Sequence, residues 1–235
     1  MKKKVIFLLS MACFMPLAGL SQKVNPLAYY YDSKEMTTVE TTSIEDGEAP
    51  LDVTFRANPE DMGDYTPSYE WHFRRQNQNQ GYVELFVRYE EETQYTFAES
   101  GTYNIVLKTI LDNNGAELDS VTLTVTIPES RLEFPNAFSP NGDGINDIYQ
   151  AKEGYRSIVK FHAYILNRWG QKLYEWTDPA SGWDGTYKGK DVKDGTYFVL
   201  VKATGADGRE YNIRKDVNLL RKYTQGGTTT GGGNE

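Results

Sequence analysis

The sequence predicts an all-β protein made of two tandem antiparallel β-sandwich domains that follow a cleaved signal peptide. Three observations carry this prediction. Apolar residues alternate with polar ones in the first half, at Leu51, Val53 and Phe55, at Tyr103, Ile105 and Leu107, and from Val121 through Leu123 and Val125 to Ile127. The second half repeats the habit at Val159, Phe161, Ala163 and Ile165 and at Tyr197, Val199 and Val201. Such period-2 runs are half-buried strands, and few stretches show helical spacing. Between the runs lie turn formers: "DNNGAE" at 112–117, "NRWGQK" at 167–172, "KDGTY" at 193–197 and "GADGRE" at 205–210. Each supplies the Gly or Asn that a hairpin with positive φ requires. Finally, the charge changes character near Pro128. Residues 22–128 hold 7 basic and 19 acidic side chains, net −12, whereas residues 129–235 hold 15 and 14, net +1. A shift of that size marks a domain boundary.

The elements follow in order. Lys2, Lys3 and Lys4 precede "VIFLLSMACFMPLAGL" and then "SQ". A basic head, an apolar middle and small residues at Gly19 and Ser21 read as a secretory leader over residues 1–21, cut between Ser21 and Gln22. Cys13, the single cysteine, lies inside that leader. Its lipidation is the minor alternative, because Ser10 stands where a lipidation site would carry a large aliphatic residue. The mature chain then lacks cysteine, which removes disulfides, thiol nucleophiles and Cys-based metal sites. It contains 235 − 21 = 214 residues, enough for two domains of about 100 each. No later apolar run is long enough to span a membrane as a helix. Residues 22–37 read as a polar lead-in with an aromatic knot at Tyr29 to Tyr31. Residues 38–128 form the first domain and residues 129–222 the second. The Gly/Thr-rich end, residues 223–235, reads as a disordered tail.

The function classes narrow by exclusion. The acidic first half lacks the basic footprint that nucleic acid requires. His72 and His162 fall in separate domains and make neither a zinc site nor a triad. No Gly-rich loop opens a helix onto a phosphate. With no catalytic constellation, the chain reads as a non-enzyme.

The stretch "FPNAFSPNGDGINDIY", residues 134–149, leaves two readings open. Pro135 and Pro140 keep the chain extended, Asn141, Asp143, Asn146 and Asp147 can close Asx turns, and Gly142 and Gly144 permit left-handed backbone. Ile145 and Ile148 would then dock into the core. The alternative is a calcium site at Asn141, Asp143 and Asp147, whose hard oxygens cluster within seven residues but miss the EF-hand spacing. Structural turns are the first reading, and calcium is the one cofactor considered. In "NRWG", Asn167 and Gly170 suit a tight hairpin. Arg168 and Trp169 are either a packed Trp beside its turn or a partner-recognition surface.

Two resemblances extend this reading. "GEAPLDVTFRANP", "YEWHF" and "YTFAESGTYNIVLKTILDNNGAELDSVTLTVTI" resemble the polycystic-kidney-disease (PKD) type of immunoglobulin-like domain, with Trp71 on a central strand. That resemblance implies spacing, adhesion, or protein and glycan contact. "FPNAFSPNGDGINDIY", "ILNRWGQKLYEW", "GWDGTYKGKDVKDGTYFVLVKA" and "VNLLRK" together resemble the gliding-motility-associated C-terminal domain, the type B sorting signal of type IX secretion. Both families are immunoglobulin-like β-sandwiches. The implied protein is exported through the periplasm of a Gram-negative bacterium to its cell surface, outer membrane or surroundings, with the type IX machinery as partner. The alternatives are a surface module that binds a glycan or protein through the Tyr-rich first domain, and a periplasmic or outer-membrane structural component.

Overall fold

The computed structural model describes residues 22–111 and 116–221. The leader with its Ser21 cut, most of the turn at 112–117 and the tail expected at 223–235 lie outside the described residues. Every regular element among the described residues is a β-strand. Among the described residues no helix is long and apolar enough to cross a membrane.

The first unit is built from β1 (Lys23–Val24), β2 (Leu27–Asp32), β3 (Thr37–Thr41), β4 (Ser43–Ile44), β5 (Leu51–Arg56), β6 (Pro59–Glu60), β7 (Pro67–Gln76), β8 (Tyr82–Arg88), β9 (Glu92–Phe97), β10 (Gly101–Leu111) and β11 (Ala116–Ile127). One sheet runs β4-β11-β10-β7-β8 and the facing sheet runs β3-β2-β5-β9, with β1 and β6 as a small separate ladder. The alternating residues do what their spacing dictates. Val53, Phe55, Ile105, Leu107, Leu123 and Val125 all point into one core between the sheets. Trp71 on β7 lies at its centre, against Phe55 at a 6.0 Å centroid distance, and its indole N–H donates to the Glu90 carbonyl at 2.8 Å. That bond satisfies the one polar group the ring brings inside.

One boundary needs correction. Residues 22–37, expected as a lead-in, supply β1 and β2, and β2 is an interior strand paired to both β3 and β5. Ala28 sits opposite Phe55 and Tyr30 opposite Val53, both turned to the core. Their inward alternation is weak in sequence because Ala is small and Tyr is amphipathic, so neither stands out as a core residue.

The second unit comprises β12 (Ala137–Phe138), β13 (Ile158–Leu166), β14 (Lys172–Trp176), β15 (Thr186–Tyr187), β16 (Lys190–Asp191), β17 (Gly195–Gly205) and β18 (Glu210–Leu219). Five of these form one sheet in the order β12-β18-β17-β13-β14. The opposing layer is mostly extended irregular chain, held by the β15–β16 ladder and by the isolated bridges Arg131–Arg156 and Tyr149–Trp183. Between the layers, Ala163, Ile165, Val199, Val201, Val217 and Leu219 pack against Phe134, Phe138, Tyr149, Trp176 and Trp183.

The alternation on β13 fails at its start. A register shift between Ile158 and Lys160 turns Ile158 toward the second core and Val159 toward the first. A bulge of this kind re-aims a side chain by adding one unpaired residue. Ala206 also packs against the first core, and the Ser100 N–H donates to its carbonyl at 3.0 Å. At the connection, Ser130 Oγ bonds Asp207 Oδ1 at 2.7 Å and Tyr211 OH at 2.8 Å. Gly205 is obligatory there, since a Cβ would overlap Ser130.

Candidate functional site

The stretch 134–149 is the entrance to the second unit. Phe134 and Phe138 are buried, and the Phe138 ring lies 5.6 Å from Tyr149 and 5.4 Å from Trp183. β12 pairs in parallel with β18, the last strand, through the bonds Asn218 N–H to Asn136 O (2.9 Å) and Leu220 N–H to Phe138 O (3.0 Å). First and last strands thus close on each other.

Within the loop, Asp147 accepts three backbone N–H groups: Asn141 at 2.9 Å and Gly142 at 2.8 Å on Oδ1, and Gly144 at 2.8 Å on Oδ2. Gly142 and Gly144 hold φ of 80° and 83°, the left-handed geometry that aims those donors inward. The bonds from Gly142 and Gly144, aided by that from Asn141, outweigh desolvation and hold the Asp147 carboxyl below the usual range. Asp143 Oδ1 accepts the Ile145 N–H at 2.8 Å, and Asn141 Oδ1 accepts the Asp143 N–H at 3.0 Å. Asn141, Asp143 and Asp147 therefore do converge, with their oxygens turned onto the loop's own donors. Among the described residues no group of three or more His, Cys, Asp or Glu is arranged to hold a metal.

Ile145 and Ile148 need correction. They are 49% and 41% exposed, not docked in the core. The Asx cage lifts the loop tip off the sheet, and strand-like alternation sends Tyr149 inward in place of its neighbour Ile148.

Arg221 fastens the loop from the far end of the chain. Its guanidinium donates to Pro140 O at 3.0 Å and Gly185 O at 2.6 Å, and lies 3.3 Å from the Asp191 carboxylate. Gly185, with φ of 79°, admits this side chain, since a Cβ there would sit 3.0 Å from the guanidinium. Trp183 is fully buried, with its N–H on Thr186 O at 2.7 Å, and Asp184 Oδ1 accepts the Thr186 N–H at 2.9 Å. In "WDG", then, the Trp is a core residue and the Asp closes an Asx turn. Arg221 was invisible in the sequence because two of its partners are backbone carbonyls 36 and 81 positions away.

The "NRWG" turn joins β13 to β14. Asn167 Oδ1 accepts the N–H groups of Trp169 and Gln171, both at 3.0 Å, while the Gly170 N–H donates to Asn167 O at 2.9 Å. Gly170 holds φ of 79°. Trp169 does not pack: it is 76% exposed, with the Arg168 guanidinium 4.4 Å over its ring. The backbone of the turn is satisfied by Asn167, so nothing draws the indole inward. Beside it opens a groove of about 400 Å³ walled by Arg168, Trp169, Leu173, Tyr187, Lys193 and Tyr197. Gln171 Nε2 donates to Tyr187 OH at 3.2 Å, which ties this hairpin to β15–β16.

Both histidines sit in side-chain pairs. His72 contacts Glu84 at 2.7 Å and Glu70 at 3.3 Å, and His162 contacts Glu175 at 2.6 Å and Tyr164 OH at 3.2 Å. They belong to different units, as their positions in the sequence imply.

Residues 132–215 match the family model described as the CHU_C type IX secretion signal domain. No curated protein matches the chain in sequence. Among solved structures, the chain is similar to SGBP-B of the Bacteroides ovatus mixed-linkage glucan utilization locus, solved in complex with a mixed-linkage heptasaccharide. The identity is 14% and the TM-score 0.27, over 76% of this chain and 42% of that one. This chain thus spans less than half of that structure, and at such a TM-score nothing about ligand follows from the likeness.

Proposed function

We propose that this is a non-catalytic exported protein whose C-terminal unit, residues 129–222, is a type IX sorting signal and whose N-terminal unit is the delivered module, a spacer or adhesion domain. The observation that carries the reading is the family match over residues 132–215, which falls on one closed structural unit. β12 at its entrance pairs with β18 at its end, and one core lies between. A signal of that kind would be read as a folded surface, because its four sequence motifs are held together only by the fold. On this reading the leader takes the chain to the periplasm and the C-terminal unit directs the crossing of the outer membrane.

The test is a deletion in a bacterium that has a type IX machine. Removing residues 131–235 is expected to strand the first unit in the periplasm. Removing only 223–235 should leave export intact. Surface protease accessibility against periplasmic content reads both, and surface delivery of the long deletion at the parental level overturns the reading.

A further inference from the structure

We infer that the hairpin end of the C-terminal unit, centred on Trp169, is the face that docks onto a carboxylate-bearing protein surface of the export machine. This deepens the sorting reading and rests on it. Trp169 is the most exposed aromatic ring among the described residues. A scattered exposed apolar side chain is ordinary, but this one is held in place. The Asn167 side chain fixes the turn through the Trp169 and Gln171 N–H groups. Arg168 lies over one indole face, so the pair is arranged before any partner arrives. Trp, Tyr and Arg are the side chains that dominate protein interfaces, and preorganised ones lose little entropy on docking. Trp169 serves no core, and the adjoining groove of about 400 Å³ offers Leu173 and Tyr187 as further apolar wall.

Charge selects the occupant. The chain as a whole is acidic, with a formal charge of −8, yet Arg168 and Lys193 stand on the groove wall and Lys188 and Lys190 on the adjoining β15–β16 hairpin, all exposed. Among the described residues none of the four forms an ion pair with a carboxylate, whereas the nearby Asp191 is paired with Arg221. Asp194 is the acid left on the groove wall. Unpaired cations around an apolar anchor complement carboxylates and steer their approach. A neutral sugar could stack on the indole but would leave these cations unused.

The test uses the full chain in a bacterium with a type IX machine. It is made as the parent, as Trp169→Ala, as the double reversal Arg168→Glu/Lys193→Glu, as Lys202→Glu on the open face of β17, and as the 131–235 deletion. Expected are at least a tenfold lower surface-to-periplasm ratio for both face variants, with parental melting temperatures, and a parental ratio for Lys202→Glu. If Trp169→Ala lowers the melting temperature, the double reversal carries the test alone, since both side chains it replaces are exposed and outside the core. Face variants that export like the parent while the deletion is stranded overturn this face and leave the sorting reading standing. A deletion that reaches the surface overturns both. An equal loss in Lys202→Glu overturns the face, because bulk charge is then what matters. Retention of the purified parent on a gel of neutral polysaccharide, lost in Trp169→Ala but kept in the double reversal, assigns the face to a glycan and also overturns the proposal.

Discussion

Asp147 concentrates the chemistry of the entry loop in one side chain. Its carboxylate gathers the Asn141, Gly142 and Gly144 N–H groups, and these bonds favour the ionised form in the folded state. The folded pKa lies below the unfolded value of about 3.9. The resulting stability is therefore fully present above that value and is lost as pH falls through the lower, folded pKa. Asp147→Asn should lower the melting temperature at pH 7 and narrow its gap to the parent as pH drops below about 4; a gap that is constant with pH would reject the assignment. Other carboxylates are also held low, among them Glu133 and Glu175, so the difference between variant and parent is the informative quantity. Calcium is the competing occupant of the same loop. With the oxygens already on backbone donors, millimolar calcium should leave the melting temperature unmoved. A chelator-reversible rise that Asp143→Ala abolishes would instead place the ion there. At this scale the turn chemistry was legible, because Asn, Asp and Gly act on their own neighbours. The outward placement of Ile145 and Ile148 was not, since it depends on which rings already fill the core.

At the scale of the element, long-range pairing decides what local pattern leaves open. β5, β10, β11 and β17 were readable because both of their faces announce themselves, apolar in and polar out. β2 was not: its inward residues are Ala28 and Tyr30, yet it lies between β3 and β5. A fragment starting at Thr38 would leave the inner edge of β5 unpaired and Phe55 partly uncovered, a combination that invites aggregation. Residues 38–128 alone should give no cooperative melt, while residues 22–128 should melt cooperatively by far-ultraviolet circular dichroism. Equal melts for the two fragments would show β2 to be dispensable. Within the same unit, Trp71→Ala should destabilise by about 3–5 kcal/mol, in the range for truncating a fully buried aromatic, and denaturant titration measures it. The hairpin end was half legible. "NRWG" specifies the turn, but whether its Trp is packed or presented depends on how much room β15 and β16 leave.

At the scale of the whole molecule, the two cores are joined by more than the connecting chain. Val159, re-aimed by the β13 bulge, and Ala206 both pack against the first core, and Ser100 bonds the Ala206 carbonyl. Ser130, Asp207 and Tyr211 then fix the connection itself. Small apolar contacts of this kind couple two units without merging them, so the expected behaviour of the full chain is one shared unfolding transition. Ala206→Asp places a carboxylate against apolar surface with no partner, at a cost of about 1–3 kcal/mol. Ala206 packs against the first core and is not among the residues of the second, so that unit should keep its own stability while the coupling is lost. The variant should show two resolved calorimetric transitions and faster protease cleavage between residues 128 and 131, whereas the parent shows one. A single transition merely shifted to lower temperature would mean that Ala206 belongs energetically to the first core alone. The distinction bears on export, because a machine that grips the C-terminal unit of the parent would move the first unit as a rigid load, and in Ala206→Asp as a tethered one.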